Sequence, residues 1–244
     1  MSLAAKPCPQ QVSIRSDAEI EFTNYPYDIP FVRELGHLKF HPDVTFFAGE
    51  NGSGKSTILE GIAIALAYGP EGGTKNVQLK TTESVSPLHR ALRSAHSFKK
   101  PADGYFLRAE SIFNVATYMD GVGYLGGYDN RSLHSRLHGE AFMAPLTHKF
   151  RGYRLYLLDE PEAALSPNRQ LAALSAIHQA VQNESQFIIA THSPILLSYP
   201  RAKIVQFDGS GISEVKYEDT EHFALTRDFL KHYPRRLEQL LADE

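Results

Sequence analysis

The chain has 244 residues, of which 42% are hydrophobic and 22% are charged, and its formal net charge is -3. This size allows one globular core with a subdomain, and the slightly acidic balance argues against obligatory nucleic-acid binding through bulk charge. The single cysteine, Cys8, excludes a disulfide within the chain. No apolar run approaches the roughly 18 residues that cross a bilayer, and residues 1–9 lack the apolar core of a signal peptide. We therefore expect a cytoplasmic protein with no membrane span of its own.

The N-terminal region predicts short strands and turns that lead into a glycine-rich loop. Residues 44–48 form a short, β-rich apolar run that predicts a buried strand. Residues 49–57 then read GENGSGKST, which has the form GxxxxGK(S/T) of a phosphate-binding loop. Residues 58–67 predict a mostly apolar helix, so the loop lies in the strand–loop–helix context that this motif requires.

This loop predicts a binding site for a nucleoside triphosphate. Its glycines would let backbone N–H groups turn inward around the phosphates, Lys55 would reach the β- and γ-phosphates, and the Ser56 hydroxyl would bind Mg²⁺. The dipole of the following helix would add to the anion site. We expect the whole loop to contribute to the site: Gly49, Glu50, Asn51, Gly52, Ser53, Gly54, Lys55, Ser56 and Thr57.

The middle of the chain gives weaker signals. Residues 69–104 are polar and predict a loop-rich excursion with one helix near residues 88–97. Residues 105–109 predict a strand in which Arg108 alternates with apolar neighbours, as a structural ion-pair partner would. Within residues 111–150, a GxGxxG sequence matches the dinucleotide-binding pattern, but it follows a predicted helix and therefore predicts a loop.

A second motif follows an apolar strand predicted over residues 154–158. Asp159 and Glu160 come directly after this strand, where the catalytic groups of a buried parallel strand belong. Asp159 would hold Mg²⁺ through water or through Ser56, and Glu160 would orient and deprotonate an attacking water. The simpler alternative is a strand that stops at an acidic turn.

A third motif follows a strand predicted over residues 186–190. His192 lies just after this strand and could donate a hydrogen bond to the γ-phosphate. The alternative is a histidine that serves only a turn, because Ser193 and Pro194 look like an N-cap and a first-turn proline. Both interpretations can hold at once.

The remaining segments predict ordinary structure around these motifs. Ser166 and the proline after it look like another N-cap and predict a helix over residues 168–183. Residues 203–217 predict a hairpin, and the segment from about residue 222 predicts two short helices broken at Pro234.

In this order the motifs resemble those of the ABC-type ATPases over about residues 35–208. GENGSGKST is similar to their Walker A loop, LYLLDEPE to Walker B with its glutamate, EAALSP to the D-loop and ATHS to the switch histidine. DEPEAALSP and IIATHSPILL look most similar to short soluble bacterial ATPases near the chromosome-maintenance and DNA-repair branch. The resemblance implies an α/β P-loop fold in one domain, residues 1–244, with a mostly parallel central sheet and an N-terminal antiparallel β portion. It also implies an inserted helical subdomain at about residues 111–150.

The resemblance further implies a signature segment, which matches residues 136–140 and would bind ATP held by the opposite subunit. Gly139 and Glu140 fit this pattern, but Leu137 stands where a serine is usual. The backbone N–H groups of His138 and Gly139 could still bind phosphate at a helix start. Glu110 stands where the family has a glutamine, and it would touch Mg²⁺ and the water.

The resemblance therefore implies Mg²⁺-dependent hydrolysis of ATP in an ATP-sandwich homodimer, with Lys55, Glu160 and His192 as catalytic residues. A protein or nucleic-acid partner is compatible with it. The aromatic residue that would stack on adenine stays undecided among Phe22, Tyr25, Tyr27 and Phe31. Two alternatives stay open. One is the nucleotide-binding subunit of a transporter, which would need a membrane partner. The other is a non-hydrolysing, ATP-gated dimerisation switch, which Leu137 favours and which Glu160 and His192 oppose.

Overall fold

The computed structural model describes residues 8–75, 85–99, 101, 103–108 and 153–242. The helices of these residues are α1 (Pro30–Arg33), α2 (Lys55–Ala65), α3 (Leu88–Ala91), α4 (Pro167–Gln182), α5 (Pro194–Leu197) and α6 (Glu221–Leu241). The strands are β1 (Gln11–Ile14), β2 (Leu38–Lys39), β3 (Val44–Gly49), β4 (Leu92–Ala95), β5 (Asp103–Arg108), β6 (Arg154–Asp159), β7 (Gln186–Ala190), β8 (Lys203–Asp208) and β9 (Gly211–Val215). Two 3₁₀ turns cover Pro161–Ala164 and Tyr217–Asp219. The predicted helical subdomain lies outside the described residues.

The central sheet has the strand order β5-β6-β7-β3-β8-β9. Its first five strands are parallel, and only β9 runs antiparallel to its neighbour β8. Every residue of β3 is buried, as expected for a strand that is covered on both faces. The register places Asp159 opposite Ala190 and Gly49 opposite Phe207. The three predicted motifs therefore meet at one edge of a mostly parallel sheet, and the expected α/β fold is confirmed.

Consecutive side chains of β3 pack into different halves of the core. Phe46 joins the cluster under α4, where Tyr156 and Phe187 stack with ring centroids 4.8 Å apart. Phe47 joins the cluster under α2, where its ring lies 5.1 Å from that of Phe207. This alternation follows from the period of two in a strand. The two packed layers hold the strand ends, and hence the motif residues, in fixed positions.

The N-terminal antiparallel portion is a three-stranded sheet with the order β2-β1-β4. The helix predicted near residues 88–97 is wrong beyond Ala91, because Leu92–Ala95 is a strand. Ser13 of β1 pairs with Arg93, so β1 supplies the hydrogen bonds that hold residues 92–95 as a strand. Such a distant pairing overrides local propensity.

Of the predicted caps, Ser193 behaves as expected and Ser166 only partly so. The Ser193 hydroxyl accepts hydrogen bonds from the backbone N–H groups of Ile195 and Leu196. Ser166 occupies the N-cap position of α4 with a proline after it, but its side chain makes no capping bond.

The C-terminal region contains the predicted hairpin, β8–β9, followed by α6, in which two helical segments meet at a kink, as predicted near Pro234. The backbone of α6 leaves helical geometry at His232, two residues before Pro234. A proline inside a helix lacks a donor and clashes with the carbonyl four residues earlier, which accounts for the distortion. None of the helices described here is both long and apolar enough for a membrane crossing.

Candidate active site

The glycine-rich loop connects β3 to α2 through three residues with positive φ: Gly49 at 146°, Gly52 at 81° and Gly54 at 92°. Gly54 is the N-cap of α2, so this helix begins at Lys55. The predicted start, residue 58, was three residues too late. The first N–H groups of the helix have no acceptor within the helix itself. Together with the helix dipole, they favour an anion at this position.

Lys55 is buried beneath this loop. Its Nζ donates hydrogen bonds to the backbone carbonyls of Gly49, at 2.8 Å, and Glu50, at 2.7 Å. Burial lowers the pKa of the Lys55 ammonium, while nearby carboxylates raise it. These carboxylates are, in order of decreasing effect, Glu160, Asp159, Glu162 and Glu50. The buried ammonium of Lys55 therefore lies near carboxylates from both the phosphate loop and the end of β6 with the turn after it.

Ser56 and Asp159 link the loop to the end of β6. The Ser56 hydroxyl donates a hydrogen bond of 2.8 Å to Oδ1 of Asp159, although 103 residues separate the two in sequence. A hydroxyl and a carboxylate at this distance form the oxygen-donor set that Mg²⁺ prefers, since this ion is bound by one or two carboxylates plus phosphates and waters. The residues present therefore fit the ion implied by the sequence. Glu110, the third expected metal ligand, lies outside the described residues.

Arg108 bridges α2 and the end of β6. Its Nη1 donates to Oε2 of Glu60 in α2 at 2.6 Å, and its Nε lies 3.5 Å from Oδ2 of Asp159. The other oxygen of Glu60 accepts a hydrogen bond from the backbone N–H of Ser86. The prediction of a structural ion pair for Arg108 is thus confirmed, and this ion pair includes one of the site carboxylates.

We expect Arg108→Ala to lower the free energy of unfolding by about 3 kcal/mol, because it removes the cation between two buried carboxylates. Urea unfolding monitored by circular dichroism measures this change. Arg15→Ala is the matched control, since Arg15 pairs with Asp17 at the surface, where both side chains are largely exposed. That substitution should cost far less, because an ion pair in solvent adds little to stability. Equal losses from the two variants would contradict a structural role for the Arg108 bridge.

Glu160 follows β6 in a left-handed conformation, with φ 48° and ψ 53°. Its backbone N–H donates to the carbonyl of Ala190 at 2.9 Å, which fixes the turn against the neighbouring strand β7. A residue other than glycine in this region costs roughly 1–3 kcal/mol, and such strain concentrates at functional sites. The strained turn places the Glu160 carboxylate where it exerts the largest electrostatic effect on Lys55.

His192 is held by Glu162, which lies within the segment LYLLDEPE but has no predicted role there. Oε1 of Glu162 accepts the backbone N–H of His192 at 2.7 Å and lies 3.2 Å from its ring Nδ1. The Glu162 side chain is 8% exposed, whereas that of His192 is 40% exposed. A buried carboxylate from the turn after β6 thus orients the histidine that follows β7.

A second histidine reaches the loop from the C-terminal helix. Nε2 of His222, in the first turn of α6, lies 3.1 Å from the carbonyl oxygen of Gly49 and can donate to it. The His222 ring centroid is 6.0 Å from that of His192. No motif or spacing marks His222 in the sequence, so only the fold places it in the site.

The aromatic candidates near the loop differ in their availability. Phe31 is 1% exposed and packs against Phe207, which leaves no face for a ligand. Tyr27 is half-buried, with its hydroxyl 3.4 Å from a backbone carbonyl. Tyr25 is 62% exposed, and its hydroxyl lies 3.2 Å from that of Thr57, the last residue of the loop. The signature residues His138, Gly139 and Glu140 lie outside the described residues.

Comparison with known proteins gives one family match and several similar structures. The model of a family described as an AAA domain matches residues 17–104, which include the phosphate loop. The SMC head domain from Thermotoga maritima is similar at 14% identity, over 74% of this chain and 92% of that chain, with a TM-score of 0.41. The structure of cbiO1 from Clostridium perfringens, part of the ABC transporter complex cbiONQ, is similar at 15% identity. That match covers 97% of this chain and 100% of the other, with a TM-score of 0.47.

Proposed function

We propose that this chain binds ATP with Mg²⁺ and hydrolyses it, as ABC-type P-loop ATPases do. Its mostly parallel sheet and the AAA-domain match over residues 17–104 support the proposal. The observation that carries the proposal is the 2.8 Å hydrogen bond between Ser56 and Asp159 beside the buried Lys55. This contact brings the first turn of α2 and the carboxylate at the end of β6 together, as the chemistry of phosphoryl transfer requires. We place the activity in the cytoplasm, since the free thiol of Cys8 suits a reducing compartment.

Ser56 and Asp159 would hold Mg²⁺, together with Glu110. When bound, the ion neutralises charge on the phosphate oxygens. Lys55 and the backbone N–H groups at the start of α2 would bind the β- and γ-phosphates and stabilise the negative charge that moves during transfer. The exposed face of Tyr25 is our candidate for stacking on adenine.

Glu160 would orient a water for in-line attack on the γ-phosphate and take its proton. His192 would donate a hydrogen bond to a γ-phosphate oxygen, with Glu162 as the positioning residue that fixes its orientation. We assign His222 the role of a second positioning residue, which holds the Gly49 carbonyl and with it the first turn of the loop.

We propose that the working form is an ATP-sandwich homodimer in one-domain subunits, with His138, Gly139 and Glu140 completing the site of the opposite subunit. The resemblance stated above supports this arrangement. A protein or nucleic-acid partner would receive the output of the cycle. The transporter subunit and the non-hydrolysing switch are the competing functions.

Mg²⁺-dependent ATP hydrolysis by the purified chain, measured at several protein concentrations, tests the proposal. We expect specific activity to rise with protein concentration, because each site needs a second subunit, and to vanish with EDTA or in Lys55→Ala. If ATP binds but no turnover occurs at any concentration, the hydrolysis proposal fails and the dimerisation switch takes its place.

We expect His222→Ala to weaken ATP binding about two- to tenfold, as the loss of one hydrogen bond worth about 0.5–1.5 kcal/mol predicts. Isothermal titration with ATP–Mg²⁺ measures the change. His178→Ala is the control, because His178 lies on α4 and contacts Tyr199 rather than the loop. If both variants bind ATP like the unaltered chain, His222 does not position the loop.

A further inference from the structure

An apolar groove of about 500 Å³ lies between α4, α5, the second 3₁₀ turn and α6. Leu171 from α4, Ile195 from α5, and Phe223 and Leu230 from α6 form its apolar walls. Leu171 is 57% exposed and Leu230 is 68% exposed, so the groove presents apolar surface to solvent. Contiguous exposed apolar surface of this kind marks an interaction site. None of these residues belongs to the nucleotide site described above.

The groove is held in shape by contacts between its walls. The hydroxyl of Tyr217, in the 3₁₀ turn, donates a 2.9 Å hydrogen bond to the backbone carbonyl of Pro194 in α5. The ring of Tyr217 also packs on Phe223 of α6, with centroids 4.5 Å apart. A concavity that exists before its ligand arrives loses less conformational freedom on binding.

The charges along the groove have one sign. Arg227 and Lys231 line it, one helical turn apart on α6, and no acidic residue is among the described residues that line it. The Arg227 guanidinium lies over the Phe223 ring at 5.0 Å, and within the described part of the chain no carboxylate pairs with Arg227 or Lys231. By contrast, Arg236 on the same helix pairs with Asp228. Among the described residues, the rim of the groove therefore carries positive charge with no carboxylate beside it.

We propose that this groove is the docking site for an acidic amphipathic helix of a partner protein. Apolar side chains spaced at i, i+3 or i+4, and i+7 would enter the groove, and flanking carboxylates would pair with Arg227 and Lys231. A second copy of α6 would bring the same cations against this rim and is disfavoured by repulsion. An anionic membrane typically binds clusters of about 4–8 basic residues, and the groove offers two cations.

Fluorescence anisotropy with two labelled peptides tests this proposal on the full chain. Both peptides, of about 15 residues, present leucines at the stated spacing; one carries flanking glutamates and the other carries lysines at the same positions. We expect the acidic peptide to bind at least about tenfold more tightly than its basic isomer, as complementary charge on the rim predicts. A small set of peptides with different leucine registers ensures that the result does not depend on one peptide sequence.

Two variants locate the binding on the groove. The double substitution Arg227→Glu with Lys231→Glu should abolish or reverse the preference for the acidic peptide. Arg235→Glu reverses one charge on the same helix outside the groove, against two in the double variant, and should leave the preference intact. Leu230→Ser should weaken the binding of both peptides, because it removes apolar surface from the wall of the groove. Since Leu230 is exposed, the substitution should leave the fold intact.

Four outcomes would overturn the proposal. The first is no binding of any peptide, and the second is equal binding of acidic and basic peptides. The third is self-association of the chain, in analytical ultracentrifugation, that Leu230→Ser abolishes, which would assign the groove to a second copy. The fourth is binding to phosphatidylserine vesicles that the double variant loses, which would assign it to a membrane. All measurements omit nucleotide, so failure of the ATPase proposal leaves this test unaffected.

Discussion

Glu160→Gln is expected to retain ATP binding and to lose turnover by about 10²–10⁴-fold, the usual contribution of a general base. Glutamine has nearly the same shape as glutamate and can still orient a water, but it cannot accept its proton. Glu160 also holds a strained turn through its backbone contact with Ala190, which the substitution leaves in place. Single-turnover hydrolysis and the dissociation constant of ATP, measured separately, distinguish loss of chemistry from loss of binding.

Glu50→Gln is the matched control for this experiment. Glu50 also raises the pKa of Lys55, but it is the weakest of the four carboxylates that do so and lies at the opposite end of the loop from β6. Its substitution makes the same charge change near the same ammonium and should reduce turnover by less than about tenfold. Equal losses in the two variants would mean that the carboxylates act only through the charge of Lys55, and Glu160 would not be the base.

Gly49→Ala is expected to destabilise the fold by about 2–5 kcal/mol, as backbone strain and an overpacked contact together predict. Gly49 has φ 146°, and an added Cβ would lie 2.3 Å from the carbonyl oxygen of Phe207 in β8. The backbone oxygen of a central strand cannot move away as a flexible side chain could. Urea unfolding monitored by circular dichroism measures the loss; the chain has no tryptophan, so tyrosine fluorescence is the second probe.

Gly52→Ala separates these two causes. Gly52 also has positive φ, at 81°, but an added Cβ there meets nothing within 4 Å. Only the backbone cost should remain, at about 1 kcal/mol. A similar loss of stability in both variants would show that the close approach of β8 is not the reason why Gly49 must be glycine.

The strands that end in motifs could be predicted closely from the sequence. The observed bounds of β7, Gln186–Ala190, are those expected, and β6 ends one residue later, at Asp159. Both are short, unbroken apolar runs that stop at polar residues, which is the pattern of a strand buried on both faces. The start of α2 was predicted too late because its first turn, from Lys55, is polar and reads as loop. The left-handed glycine before it determines where the helix begins.

Features that depend on distant contacts could not be predicted. The strand β4 forms because β1 offers it an edge more than 70 residues away in sequence. Glu162 and His222 enter the site because the turn after β6 and the start of α6 both approach the loop. Neither residue has a fixed spacing from the phosphate loop. The contact that joins each to its neighbour exists only in three dimensions.

The first turn of α6 contacts both the phosphate loop and the apolar groove, through two adjacent residues. His222 contacts the Gly49 carbonyl, and the next residue, Phe223, forms a wall of the apolar groove. A ligand that shifts this turn therefore changes the free energy of both contacts at once. Thermodynamic linkage then requires reciprocity: if an occupant of the groove alters the affinity for ATP by some factor, ATP alters the affinity for that occupant by the same factor.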